Sequence, residues 1–211
     1  MSNAKVIISI SRQFGSGGRE IGQKLAEDLN IPFYDKKRIA IIAQQSGISN
    51  ELFEKANEKA GSSLLYSLVM GSYTFGSHVP PDSGTPINDR LFSIQADIIK
   101  QAAADDPCIF VGRCADYALR EYKNVFRVFI RADQSFRMER AVSEYKIKPE
   151  EAAEFLVKKD RQRANYYSCY TQKKWGDPDN YHLVLDSSAF GIRDAVELIK
   201  SAAAMLERQL N

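Results

Sequence analysis

The chain has 211 residues, 44% hydrophobic and 27% charged, a composition ordinary for one globular domain with a full core. Its 29 basic and 27 acidic side chains leave a net charge of +2, too balanced to indicate a nucleic-acid-binding or membrane-surface protein. Three cysteines without a C-x-x-C spacing make no disulfide framework, and two histidines add no His/Cys zinc pattern.

In chain order, residues 5–11 form a short β-branched run that reads as a buried strand. A glycine-rich turn follows, Phe14-Gly15-Ser16-Gly17-Gly18-Arg19-Glu20. Ile21, Leu25 and Leu29 then recur at helical spacing over 18–29, with Asn30 as the stop. Residues 31–35 read as a second strand ending in Asp35, and 36–46 as a helix. Residues 47–106 read as an insertion on the acceptor side, with helical pieces at 50–60 and 62–70. A Gly/Ser/Pro-rich loop at 71–86 and a longer helix at 88–104 complete it.

The core resumes with a strand at 107–112, a helix through Leu119 and a strand at 124–130. Asp133 fits an N-cap for a helix through 144. Pro149 opens another helix, with Glu150 and Glu151 in its first turn, reaching to about residue 167. A last strand at 181–186 and a closing helix at 191–210 follow. Five short apolar strands separated by helices predict a single α/β domain, a three-layer sandwich around a mostly parallel sheet. No apolar run reaches the about 18–20 residues of a membrane span, and no secretory leader is recognisable, so a cytoplasmic protein is expected.

Strand, glycine turn and helix in that order make an anion site. The first N–H groups of the helix are unpaired, and its dipole favours negative charge there. Glycines let the backbone curl around a phosphate, and Arg19 follows as a charged fork. The pattern G-x-x-x-x-G-K-[ST] is met only in part. With Gly18 as its second glycine, Gln13, Arg19 and Glu20 hold the first-glycine, lysine and hydroxyl places. With Gly17 instead, Arg12 and Gly18 hold the first-glycine and lysine places. A tight turn without a ligand is the plain alternative.

A basic lid is expected over 148–178. Between Lys158 and Lys174 within it, Lys158, Lys159, Arg161, Arg163, Lys173 and Lys174 face one acid, Asp160. Converging cations suit a transferring phosphoryl group, although a solvated basic helix face has the same composition. Tyr166, Tyr167, Tyr170 and Trp175 interleave with them and are expected to pack the lid rather than stack on a base.

The run Ile10 to Gly22, the block from Leu29 to Lys36 and Phe110-Val111-Gly112-Arg113 together resemble the cytidylate kinase-like family. So do Lys159 to Tyr167, Lys174 to Asp177 and Leu183 to Ser188. The resemblance implies a P-loop kinase-type core, ATP as donor, Mg2+, and a small-molecule acceptor, first a cytidylate-like nucleoside monophosphate. It implies neither nucleic acid nor membrane as partner. Phe14, Gly15, Ser16, Gly17, Gly18, Arg19 and Glu20 would then cradle the donor phosphates. Arg19, Arg161 and Arg163 would carry the catalytic charge. Arg12, Asp35, Arg38 and Arg113 would face the acceptor, and Glu20 and Asp116 are the nearest metal candidates. Three departures from true cytidylate kinases stand out: the loop lysine is absent, as the family itself tends to show; Cys114 follows Arg113 where they have an acid; and their acceptor-phosphate arginine one turn after Asp35 is not in register, with Arg38 merely nearby. A kinase of a non-nucleotide metabolite, or a nucleotide-binding regulator without turnover, fits the same residues.

Overall fold

The structure is a computed structural model, and it describes residues 6–45 and 87–210. The helical pieces expected at 50–60 and 62–70 and the loop at 71–86 lie outside the described residues. The strand β1 (Ile7–Arg12) is buried along nearly its whole length. Such a near-continuous apolar run belongs to a parallel strand covered on both faces. It pairs in parallel with β3 (Ile109–Val111) on one side and β4 (Val125–Arg131) on the other. The strands β2 (Phe33–Tyr34) and β5 (Leu183–Asp186) complete a five-stranded, all-parallel sheet in the order β2-β3-β1-β4-β5.

Alternation along β1 divides the core. Ile8 and Ile10 face α1 (Gly18–Leu29) and α7 (Ser187–Leu210), packing with Ile21, Leu25, Val196 and Ile199. Ile7 faces the other layer, built on α2 (Lys36–Gln45), α3 (Ile87–Asp105) and α4 (Ala115–Ala118). The helix α3 buries Ile98 and Ile99 with Phe110 of β3. The last part of the expected insertion is therefore a layer of the core. On the far side, α5 (Gln134–Ser143) and α6 (Pro149–Thr171) bury Ala141, Ala152 and Leu156 together.

The predicted caps are present. The Asp133 side chain accepts from the Phe136 N–H, Pro149 opens α6, and Asn30 ends α1 in the left-handed conformation. Two helix bounds differ from expectation by four residues. The helix α6 runs four residues past 167, because Tyr167 and Thr171 continue its buried face. The last helix begins at Ser187, with a break in helical geometry at Gly191. No helix among the described residues is long and apolar enough to cross a membrane.

Candidate functional site

The centre of the sheet carries β1 straight into the glycine turn, at the carboxyl edge where open α/β sheets hold their ligands. Gly15 and Gly17 have φ of +78° and +73°, the left-handed region where a side chain is strained. Gly17 is the N-cap of α1 and offers no side-chain cap. Among the described residues, no acceptor is bonded to the N–H groups of Gly15, Gly17, Gly18, Arg19 or Glu20. A helix start left open in this way favours an oxyanion.

The rest of the turn is held from behind. The Gln13 N–H donates to the Ile130 carbonyl at 2.9 Å, and the Gln13 side chain accepts from the Ala132 N–H at 3.1 Å. Ser16 is fully buried; its hydroxyl donates to the Gln13 carbonyl, and its own carbonyl accepts from the Ser187 hydroxyl at 2.6 Å. Asp160 of α6 accepts from the Phe14 N–H at 2.7 Å and pairs with Arg137, whose Nε–H donates to the Phe14 carbonyl at 2.7 Å. Arg163 of α6 donates to the Arg12 carbonyl at 2.8 Å and lies over the Phe14 ring. The predicted lid helix is thus seated on the phosphate loop.

A group of cations gathers beside the loop: Arg12 at the end of β1, Lys36 after β2, Arg113 after β3, and Lys159 and Arg163 on α6. Burial, then Arg163 and Arg113, hold the Arg12 guanidinium well below its ordinary range. Burial, then Arg113, Lys159, Arg12 and Arg163, bring Lys36 down to about 7. Burial lowers Arg163 to about 10 against the opposing pull of Asp160, and burial followed by Arg163 lowers Lys159. Among the described residues, Asp160, at 3.9 Å from Arg163, is the single carboxylate within ion-pair distance of any of the five. In Arg12, Lys36, Lys159 and Arg163 burial is the first cause of the depression, and crowding by neighbouring cations adds to it.

Sequence reasoning identified Arg12, Arg113 and Arg163, and the structure brings them together. It missed Lys36, whose position directly after the β2 carboxyl end was the available signal. It also missed the part played by Asp160, which was counted only as the odd acid in a basic run. Other expected site residues stand elsewhere. Arg161 is exposed on α6, two residues from Arg163 and off the face that meets the loop. The Arg19 guanidinium turns away from the turn to Asp35, at 2.9 Å, with its side chain 54% exposed. Asp35 also accepts from the Arg38 N–H at 3.0 Å, which makes it the cap of α2. These bonds keep its carboxyl ionised below the ordinary range against the effect of burial. Arg19, Asp35 and Arg38 line a separate open cleft of about 430 Å³ between α1 and α2.

The two metal candidates sit in environments that do not suit a ligand. Glu20 is held by Arg140 at 2.7 Å and faces Lys24 at 3.9 Å. Asp116 is buried and accepts from the Tyr167 hydroxyl at 2.7 Å, and burial raises its pKa. A carboxyl pushed toward its neutral form is a poor ligand for a hard cation. The lid aromatics pack as expected: Tyr170 stacks on Phe92 at 4.0 Å, and Trp175 meets Phe129 edge-on at 5.2 Å. Arg113 lies over the Tyr166 ring and donates to Gln95 at 3.3 Å, so α3 closes this wall of the site.

The comparison with curated proteins returned no match. Among solved structures, an uncharacterized protein from Eubacterium ventriosum ATCC 27560 superposes with a TM-score of 0.71 at 23% identity. That alignment covers 95% of this chain and 99% of that one. A gluconokinase from Sinorhizobium meliloti 1021 gives 0.54 at 16% identity, over 99% and 97% of the two chains. A shikimate kinase from Bacteroides thetaiotaomicron gives 0.50 at 12% identity, over 93% and 97%. These likenesses establish the P-loop kinase fold. The sequence pattern of the cytidylate kinase-like family matches residues 7–189, from β1 through the loop, the cation cluster and α6 to β5, and the chain belongs to that family.

Proposed function

We propose that the protein transfers a phosphoryl group from ATP to a small anionic acceptor. The observation that carries the reading is the cluster of Arg12, Lys36, Arg113, Lys159 and Arg163 beside open loop amides, with Asp160 the one carboxylate among the described residues within ion-pair distance of them. The N–H groups of Gly15 and Gly17 to Glu20 would hold the donor phosphates. The cations would neutralise charge that spreads over the transferring group, which is the main demand of this chemistry. Among the described residues the side chains do not form a protein-borne magnesium site: Glu20 is committed to Arg140 and Asp116 is buried. Magnesium would enter with the nucleotide phosphates.

The first acceptor candidate is a cytidylate-like nucleoside monophosphate. A second reading, a phosphorylated metabolite that is not a nucleotide, is favoured by the state of Asp35. Its carboxylate is taken up by Arg19 and by the start of α2 instead of standing open to a base. Incubation with ATP, Mg2+ and a panel of nucleoside monophosphates and sugar phosphates, read as ADP and phosphorylated product, tests both. Product with cytidylate supports the first and product only with a non-nucleotide supports the second. Tight ATP binding without transfer to any acceptor would point instead to a nucleotide-binding regulator.

A further inference from the structure

The lysine of the P-loop pattern is missing, and the structure shows what fills its place. With Gly17 as the second glycine of the pattern, Gly18 holds the lysine position at the first residue of α1. A Cβ on Gly18 would lie 2.6 Å from the Arg12 Cβ and 2.9 Å from the Arg12 Cγ. Gly18 is helical, so it is occupied space, not backbone conformation, that excludes a side chain there. At the other end of the same arginine, a Cβ on Gly112 would lie 2.1 Å from the Arg12 Nη1. The Arg12 stem therefore runs past the vacant lysine position, and its guanidinium rests on Gly112 at the carboxyl end of β3. That path joins the phosphate loop to the side where Arg113 and Lys36 stand. The guanidinium has no ion-pair partner among the described residues and is pressed by Arg163 and Arg113.

We propose that Arg12 supplies, from the end of β1, the phosphate-binding charge that a P-loop lysine supplies from the start of α1. The two glycines keep its lane open. The proposal rests on the phosphotransfer reading above. A planar guanidinium in this place offers paired donors to a phosphate where a lysine offers a point charge. It can therefore hold an oxygen of the donor's terminal phosphate and one of the acceptor together. The substitution also joins two mismatches to the P-loop pattern in one exchange: an arginine enters at the first-glycine place, and the lysine leaves because the arginine stem needs its room.

The test uses the full chain, with MgATP and sodium tripolyphosphate as probes in calorimetry and thermal melting as the control for folding. Arg12→Ala is expected to weaken ATP by about 10–100-fold, the worth of a charge-assisted hydrogen bond. It is also expected to leave the unliganded melting temperature unchanged or higher, because it removes an unpaired half-buried charge. A purely structural arginine would do the reverse, lowering the melting temperature and sparing ATP affinity, and that result overturns the proposal. Arg12→Gln keeps the stem against Gly18 and serves in place of the alanine variant should that one fail to fold. In the double variant Arg12→Gly with Gly18→Lys, the Cβ that would stand 2.6 Å from a Gly18 side chain is gone as well; a lysine regains its usual place with room to extend, and ATP affinity is expected to rise above that of Arg12→Gly. A folded double variant that binds no better than Arg12→Gly contradicts the exchange. Wild-type protein that binds neither ATP nor tripolyphosphate removes the phosphotransfer reading itself. Wild-type binding matched by Arg12→Ala removes only the role given to Arg12.

Discussion

Asp160→Ala is the sharpest test of how the loop is held. The Asp160 carboxylate receives the Phe14 N–H at 2.7 Å and pairs with Arg137, and the two side chains are only 16% and 10% exposed. Removing one partner of such a pair strands the other charge, at a cost of about 3–5 kcal/mol. Arg137 keeps its bond to the Phe14 carbonyl, so the lower end, about 3 kcal/mol, is expected. For a chain of this length that corresponds to a fall of about 6–12 °C in melting temperature. Urea and thermal unfolding of both proteins supply the comparison. A double replacement by apolar residues of similar size, Asp160→Leu with Arg137→Met, is expected to recover much of the loss, since the stranded charge is gone. A loss below about 1 kcal/mol in Asp160→Ala would mean that the pair is solvated and contributes little, in the manner of a surface ion pair. The account of the loop as strapped by α5 and α6 would then fail.

Gly15→Ala places a Cβ 2.6 Å from the Arg137 carbonyl oxygen at φ +78°; a loss of about 2 kcal/mol or more is expected in the urea midpoint. Lys36 gives a pH signature. Its folded pKa of about 7 lies below the ordinary 10.5, so between those values the unfolded chain binds more protons and stability rises with pH. Lys36→Met is expected to flatten that rise, and wild-type protein is expected to take up a proton on binding phosphate at pH 8. Calorimetry in buffers of different ionisation heat measures the uptake, and a buffer-independent heat would contradict it. Arg163→Ala is expected to lower turnover by about 10²–10³-fold, the usual loss for a donor to transferring charge. Arg161→Ala, exposed on the far side of the same helix, is expected to change turnover little; equal losses in steady-state assays would return Arg161 to the site.

The parts of this protein that were legible in its sequence are those in which cause and effect lie within a few residues of each other. The run from Ile7 to Leu29 is a strand, a turn and a helix in unbroken order. Its apolar periodicity, its glycines and Asn30 act locally, and no distant contact is needed to read them. The Asp133 and Pro149 helix starts are local in the same way. The cation cluster is not. Arg12, Lys36, Arg113 and Arg163 come from four separate segments, and only the parallel pairing of β1 with β3 and of β3 with β2 brings their ends to one edge. The rotation of α6 about its own axis, set by burial of Leu156 and Tyr167, decides that Arg163 and not Arg161 meets the loop. Arg19 belonged to the loop on paper and turned to Asp35 because a carboxylate 16 positions away lay within reach once β2 was in the sheet. Local chemistry thus determined that a phosphate loop exists and where it begins. Which charges surround it depended on the packing of distant segments, because a side chain's partner is chosen by distance in space and its sequence position carries no record of that distance.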